Sequence, residues 1–252
     1  MNDTLTRVLA INASRQRRNT YTLLQQVGEL LAQRGIAVEQ INLHDYAIAD
    51  CLGCLRCLEG GEPCVHKDDY EAILAKIKAA DGLILGTPVH MAGVSGKLKT
   101  LLDRMFVQVH RPELAGTPLL TVVSTGGSSL ASTHRYLEEV GAMTGLYLCG
   151  RIGRRALEMN KPVQPQEVAG FADAVLAGLE SHRPALRQIS FFRVVQWMGT
   201  SFIPLDREFW EARGMDEMDY FYPCQMGPLK VGYSRLFGAL MRAIMPRFAA
   251  DG

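Results

Sequence analysis

Short β-branched apolar runs alternate with amphipathic stretches of about fifteen residues along the first three quarters of this chain, and that rhythm admits few folds. Consecutive buried strands separated by a helix must run parallel, with the crossover helices covering both faces of one sheet. Five runs qualify as strands, at residues 7–11, 37–43, 82–86, 119–123 and 146–149. Each is nearly continuous in apolar character, as strands buried on both faces are. Helices fit residues 20–34, 96–107, 132–143 and 166–180. Another follows Asp68, which can cap it while Glu71 returns the bond, and Ile73, Leu74 and Ile77 mark its buried face. The expected class is α/β, and 252 residues with 48% hydrophobic content can build a substantial core.

After Pro184 the rhythm stops. The remainder is rich in aromatics, among them Phe191, Phe192, Trp197, Phe209, Trp210, Tyr220, Phe221 and Tyr222, and contains no further strand-then-helix unit. Residues 1–184 therefore read as the sheet domain and 185–252 as a C-terminal extension that packs on the core or on a neighbouring subunit. Within it Leu236, Leu240, Ile244 and Met245 recur at helical spacing against Arg235, Arg242 and Arg247. A membrane-surface helix has that pattern, but protein packing is its more ordinary use. Lys plus Arg number 27 against 26 Asp plus Glu, so nothing global suggests a nucleic-acid partner. The chain opens Met-Asn-Asp-Thr without a basic-then-apolar leader and has no apolar run long enough to cross a bilayer, so the expected location is cytoplasmic.

Four of the six cysteines crowd into fourteen residues as Cys51-x2-Cys54-x2-Cys57-x6-Cys64. Gly53, Gly60 and Gly61 give that segment access to the positive φ angles needed to wrap one compact centre. Tight runs of this kind ligate [4Fe-4S] clusters, whereas structural zinc usually takes cysteines as two separated pairs. Zinc is the second reading, and a disulfide knot, which suits small secreted chains, the third. Cys149 and Cys224 read as small buried hydrophobes, and His66 as an exposed residue ahead of the next helix.

The first strand runs into Asn12-Ala13-Ser14-Arg15-Gln16-Arg17-Arg18-Asn19-Thr20 before a helix. Hydroxyls, amides, guanidinium groups and a helix N-terminus together suit a phosphate. The loop lacks the glycine patterns of dinucleotide and nucleoside-triphosphate sites, so a monophosphate is the expected guest. Two more loops fall at the carboxyl ends of the third and fourth strands, where open α/β sheets bind ligands. In the first, Pro88, Val89 and Met91 offer apolar contact, with His90 beside them to stack, donate a hydrogen bond or fill space; in the second, Thr125, Gly126 and Gly127 offer exposed amides to the edge of a flat ring. Phosphate at one loop and ring at the next two describes FMN. No triad or pair of carboxylates suggests a catalytic side chain.

Taken in order, Ala13-Ser14-Arg15 with Asn19-Thr20, the cysteine run, Lys67-Asp68-Asp69, Gly86-Thr87-Pro88-Val89, and Val94-Ser95-Gly96-Lys97-Leu98-Lys99 with Leu102-Asp103-Arg104 resemble the iron-sulfur flavoproteins of the NADPH-dependent FMN reductase superfamily. The resemblance covers residues 7–150. It implies a flavodoxin-like sheet of order 2-1-3-4-5 that holds FMN, phosphate contacts at Arg15, Asn19 and Thr20 in the FMN-binding loop that also contains Ser14, and a [4Fe-4S] cluster on Cys51, Cys54, Cys57 and Cys64. His90 stands where many relatives have tyrosine. The implied activity is electron transfer between cluster and FMN, with NAD(P)H or a ferredoxin-type protein as donor, a small-molecule acceptor, and a homodimer or homotetramer bringing one subunit's cysteine loop to another's flavin. Trp197 and Trp210 are expected to be buried across such subunits. Two rival functions are a cluster-free NAD(P)H-dependent reductase of flavins, quinones, azo- or nitro-compounds, and a zinc-binding regulatory or scaffold module without flavin.

Overall fold

The computed structural model describes residues 6–179 and 182–244. Its centre is a five-stranded parallel sheet in the order β2-β1-β3-β4-β5, built from β1 (Arg7–Asn12), β2 (Ala37–Asn42), β3 (Gly82–Pro88), β4 (Pro118–Thr125) and β5 (Tyr147–Arg155). This is the flavodoxin-like arrangement expected from the sequence. Alternate strand residues feed two cores. Leu9, Ile11, Leu83, Leu85 and Val123 face α3 (Tyr70–Lys78), α4 (Gly96–Arg104) and α6 (Leu130–Met143). Val8, Ala10, Ile84, Val122 and Ile152 face α1 (Asn19–Ala32) and α7 (Pro165–Ala177). The two sets interleave because successive side chains of a strand point to opposite faces.

Several boundaries differ from expectation for identifiable reasons. β5 extends to Arg155, well past Cys149, because it is an edge strand whose Arg151, Arg154 and Arg155 disguise it, and because Gly150, at φ 156°, follows a register shift opposite Leu119/Leu120. The helix expected over 96–107 stops at Arg104 and is followed by the short α5 (Val107–His110). Glu180, the expected end of α7, lies outside the described residues.

The Asp68 to Glu71 capping box does not form. Asp69 occupies the cap position of α3 without a side-chain bond, and Asp68 is committed elsewhere, accepting from the amides of Ala49 and Tyr70 and pairing with Arg104. A buried guanidinium competes better for that carboxylate than one exposed amide does.

Beyond the sheet, α8 (Leu186–Ser201), α9 (Pro204–Ala212) and α10 (Pro228–Ile244) gather a third core around Phe192, Trp210, Tyr220 and Phe221. Trp210 is fully buried inside its own chain, against the expectation that it crosses to another subunit. Its ring presses on α8 so closely that a Cβ added at Gly199 would clash with Nε1. Leu236 and Leu240 of α10 are exposed, while Met245 and Arg247 lie outside the described residues. No helix among the described residues is long and apolar enough to cross a membrane.

Candidate functional site

Parallel strands in this order bring the loops after β1, β3 and β4 to one edge of the sheet, and hydrogen bonds between them fix that edge. The Ala13 amide donates to Gly86 O at 2.8 Å and Ser95 Oγ donates to Ala13 O at 3.0 Å, joining the first loop to the second. The Val89 amide donates to Ser124 O at 2.8 Å, joining the second to the third. Thr20 Oγ1 lies 2.7 Å from Ser124 Oγ, closing the circle. Asn12, fully buried, reaches Ser14 O and Asn42 Oδ1 through its side-chain amide and accepts from the Ser14 amide. It shapes the first loop.

Within this frame the candidate residues separate into two kinds. Thr20 is buried and its hydroxyl spent on Ser124, and Ser14 Oγ donates to Gln16 O, so both hold the loop. Arg15 and Asn19 are exposed, and α1 begins at Asn19 with no side-chain cap on its amides and no acidic residue in its first turn. That leaves a positive helix end with unspent donors. In the second loop, Pro88 and Val89 are half-buried and His90 is exposed; His90 and Gly93 exchange backbone hydrogen bonds across a tight turn. The turn forces Met91 to φ 47° and Ala92 to φ 65° and projects Met91 wholly into solvent. Two non-glycine residues in the left-handed region are strain of the sort stored at functional sites. In the third loop Thr125 is buried, accepting from the Gly127 amide and donating to Ser128 O. Gly126 and Gly127 are exposed, and a Cβ at either would meet nothing within 4 Å. A flat ring can approach that backbone closely.

The cysteine segment lies elsewhere. Its two ends are drawn together by Asp68 and Asp69, which accept from the amides of Ala49 and Ala47, and by His66, whose ring nitrogen Nε2 is 3.0 Å from Asp50 O. Arg104, almost wholly buried, donates to Asp68 and Ala49 O and lies over the Tyr70 ring. This guanidinium holds the Asp68 carboxyl well below its ordinary value, at about 2. The Lys67-Asp68-Asp69 and Leu102-Asp103-Arg104 motifs thus meet in space to staple the segment's base. Inside the loop Gly53 and Gly61 take positive φ, whereas Gly60 sits at −88°; Leu55 adopts 56° instead, just before α2 (Arg56–Glu59).

All four cysteines border one cavity of about 780 Å³. Its walls are the start of β3 (Leu83, Leu85), the approach to β5 (Leu146), and the ends of α3, α4 and α6. None of the residues of the three edge loops lines it. The two regions therefore occupy different parts of one protomer. Among the described residues no three His, Cys, Asp or Glu side chains are gathered closely enough to hold a metal ion. Cys51 and Cys54 are exposed, Cys57 and Cys64 half-buried, and burial, followed by Cys64, pushes the Cys57 thiol up. Four thiolates repel one another, so gathering them requires a compensating cation. The donor set itself, four soft sulfur ligands on one short loop, matches an iron-sulfur cluster. Cys149 and Cys224 stay apart; burial raises their thiols to about 12 and about 11.

Sequence reasoning placed Asn12, Ser95 and Ser124 in the edge loops without their linking roles, and missed Arg111 and Asp206 near the cysteine loop. Only Ser95 carried a local signal, a serine immediately before a helical run, and it caps α4 through the Leu98 amide.

Comparison with known proteins agrees with this architecture. An iron-sulfur flavoprotein of Archaeoglobus fulgidus is 42% identical over 98 residues, which are 39% of this chain and 48% of that protein. One from Methanocaldococcus jannaschii is 43% identical over 99 residues, 39% of this chain and 51% of that protein. The chain spans about half the length of the curated relatives it matches. Among solved structures, RosB with bound 8-demethyl-8-formylriboflavin-5'-phosphate aligns with a TM-score of 0.55 at 14% identity, covering 88% of this chain and 92% of RosB, a likeness of fold. The family profile described as NADPH-dependent FMN reductase matches residues 6–152. On a match that takes in the whole parallel sheet except the last three residues of β5, the chain belongs to the NADPH-dependent FMN reductase family.

Proposed function

We propose that this protein is a flavin-dependent oxidoreductase that binds FMN at the carboxyl edge of the sheet and passes electrons between the flavin and a [4Fe-4S] cluster on Cys51, Cys54, Cys57 and Cys64. The observation that carries the flavin site is the combination at one edge of an uncapped helix end beside exposed Arg15 and Asn19 with the open backbone of Gly126 and Gly127. The first pair suits the phosphate; the second, with Pro88, Val89, His90 and Met91 on the adjoining loop, suits the ring. Ser14, Thr20 and Thr125 set the loop shapes. FMN exchanges two electrons or one, and a cluster exchanges one, so the pair links two-electron and one-electron partners. NAD(P)H or a ferredoxin-type protein supplies the electrons and a small molecule accepts them.

The cavity bordered by the cysteines excludes every edge-loop residue, so transfer between the two centres is best served by a second copy of the chain. A homodimer or homotetramer in which one cysteine loop faces another flavin meets that need. One observation favours a second reading, a cluster-free NAD(P)H-dependent FMN reductase: an FMN reductase (NADPH) of Pseudomonas putida is 34% identical over 107 residues, 42% of this chain and 47% of that protein. Steady-state NAD(P)H oxidation separates them. Undiminished turnover by iron-free protein selects the cluster-free reductase, whereas turnover that follows iron content selects the iron-sulfur flavoprotein.

A further inference from the structure

Asp206 of α9 is fully buried, so its carboxylate must be paired. It lies 2.9 Å from His110 Nδ1 and accepts from Arg111 Nε at 2.6 Å. One turn on, Trp210 Nε1 donates to His110 O at 2.7 Å, so the same helix grips the 110–111 corner twice. The remaining donors of Arg111 cross to the cysteine loop: Nη1 reaches Cys57 O at 3.4 Å, and Nη2 donates to Leu58 O. Leu205, next to Asp206, packs on the same loop, its Cδ1 3.0 Å from where a Cβ on Gly61 would be. These contacts span 95 residues from Arg111 to Asp206 and 54 from Arg111 to Cys57. They fall outside the 6–152 family match on the helical side.

We propose that the C-terminal helical unit is a clamp for the cysteine loop: Asp206 fixes Arg111, and Arg111 fixes the backbone at Cys57 and Leu58. Arg111 is then a positioning residue for the ligand set, an assignment that rests on reading the four cysteines as ligands; the clamp on the backbone does not. A planar guanidinium suits both tasks, since one edge can serve the carboxylate while the other serves two adjacent carbonyls. Arg111 also borders the cavity that the four cysteines line. Partners that orient ligands in this way commonly change metal affinity 10–100-fold when removed.

The test uses the full-length chain and its Arg111→Met, Arg111→Lys and Leu205→Ala variants. Backbone amide exchange is followed in metal-free protein. Cd²⁺ affinity of the reduced thiols is read from thiolate-to-metal absorbance, and FMN affinity is read alongside. In Arg111→Met, exchange at residues 55–60 should rise at least about tenfold more than in β1 and α1 and Cd²⁺ affinity fall about 10–100-fold, with FMN affinity unchanged. Arg111→Lys, which keeps the charge without the fork, should fail to restore the loop, and Leu205→Ala should loosen residues 60–62. Unchanged exchange at 55–60 in Arg111→Met would overturn the clamp, as would an equal rise throughout the chain, which marks general destabilisation. If exchange rises as expected but wild type takes up no Cd²⁺, the clamp is upheld and the reading of the cysteines as ligands fails.

Discussion

At the carboxyl edge of the sheet, the three loops after β1, β3 and β4 are tied to one another by short bonds among strand ends and the helix starts that follow them, through Ala13, Ser95, Ser124 and Thr20. The cysteine loop, by contrast, hangs between two remote guanidinium groups, Arg104 at its base and Arg111 at its middle. The first region is a by-product of sheet register and is in place once the strands pair. The second depends on side chains from elements that follow it in the chain, including the last helical unit. A ligand that needs a rigid, preformed cradle is served by the first kind of construction. A site that must close around an ion and thiolates that repel one another is served by the second, which can adjust.

The largest effect expected from breaking this comparison is at Arg104. Replacing it with Leu leaves Asp68 without its buried partner and should cost about 3–5 kcal/mol of stability. Urea unfolding measures the loss, and a change below about 1 kcal/mol would show that the base of the cysteine segment is held by something else. Next is Arg15→Ala, which removes a free guanidinium from the edge without touching a packed group. FMN binding should weaken by about 1.5–3 kcal/mol with the unfolding midpoint unchanged. Flavin fluorescence titration reads this, and an unaltered affinity removes Arg15 from the site. Gly127→Leu sharpens the same point from the ring side. The space there is open, so the fold should tolerate the side chain, while FMN affinity drops at least about tenfold, or 1.4 kcal/mol. Full affinity in that variant would place the ring elsewhere.

The last effects concern pH. Burial pushes His134 and His182 down from an ordinary 6.5 to about 4. Between those values the unfolded chain binds protons that the fold refuses, so stability should decline as pH falls from about 6.5 to about 4. Asp68, held at about 2 by Arg104 against an ordinary 3.8, should extend the decline from about 4 towards about 2. His182 lies among Tyr147, Tyr220 and Tyr222, where the helical unit meets the sheet. His182→Gln should therefore flatten the upper part of the profile. A slope unchanged in that variant would assign the titration to other groups.

How much of this was legible in the sequence follows from the same contrast. The strands announced themselves because burial on both faces demands unbroken apolar runs, and their ends then fixed where a ligand could sit. β5 was cut short where edge exposure admits Arg151 and Arg155 and where the buried Arg154 is paired with Glu167. The cysteine spacing was equally plain. What holds that loop was not: Arg111 and Asp206 are unremarkable letters far apart in the chain, and only tertiary packing joins them. Asp68 was misread for a related reason, since a local capping pattern gives no hint of a guanidinium arriving from 36 residues away. Trp210 looked like an interface residue because an aromatic-rich tail gives no sign that its rings, Phe192 and Phe221 among them, pack on one another within one chain.

The central claim is that one chain carries two separable sites, a flavin cradle at the sheet edge and an iron-sulfur ligand set on the cysteine loop. Anaerobic purification of the wild-type chain and of Cys57→Ser, with FMN, iron and acid-labile sulfide measured per chain, tests it most directly. The account predicts about one FMN in both proteins, with about four iron and four sulfide in the wild type and a marked loss of both in the variant. Full iron and sulfide in Cys57→Ser, or a colourless wild type holding zinc and no flavin, would contradict it.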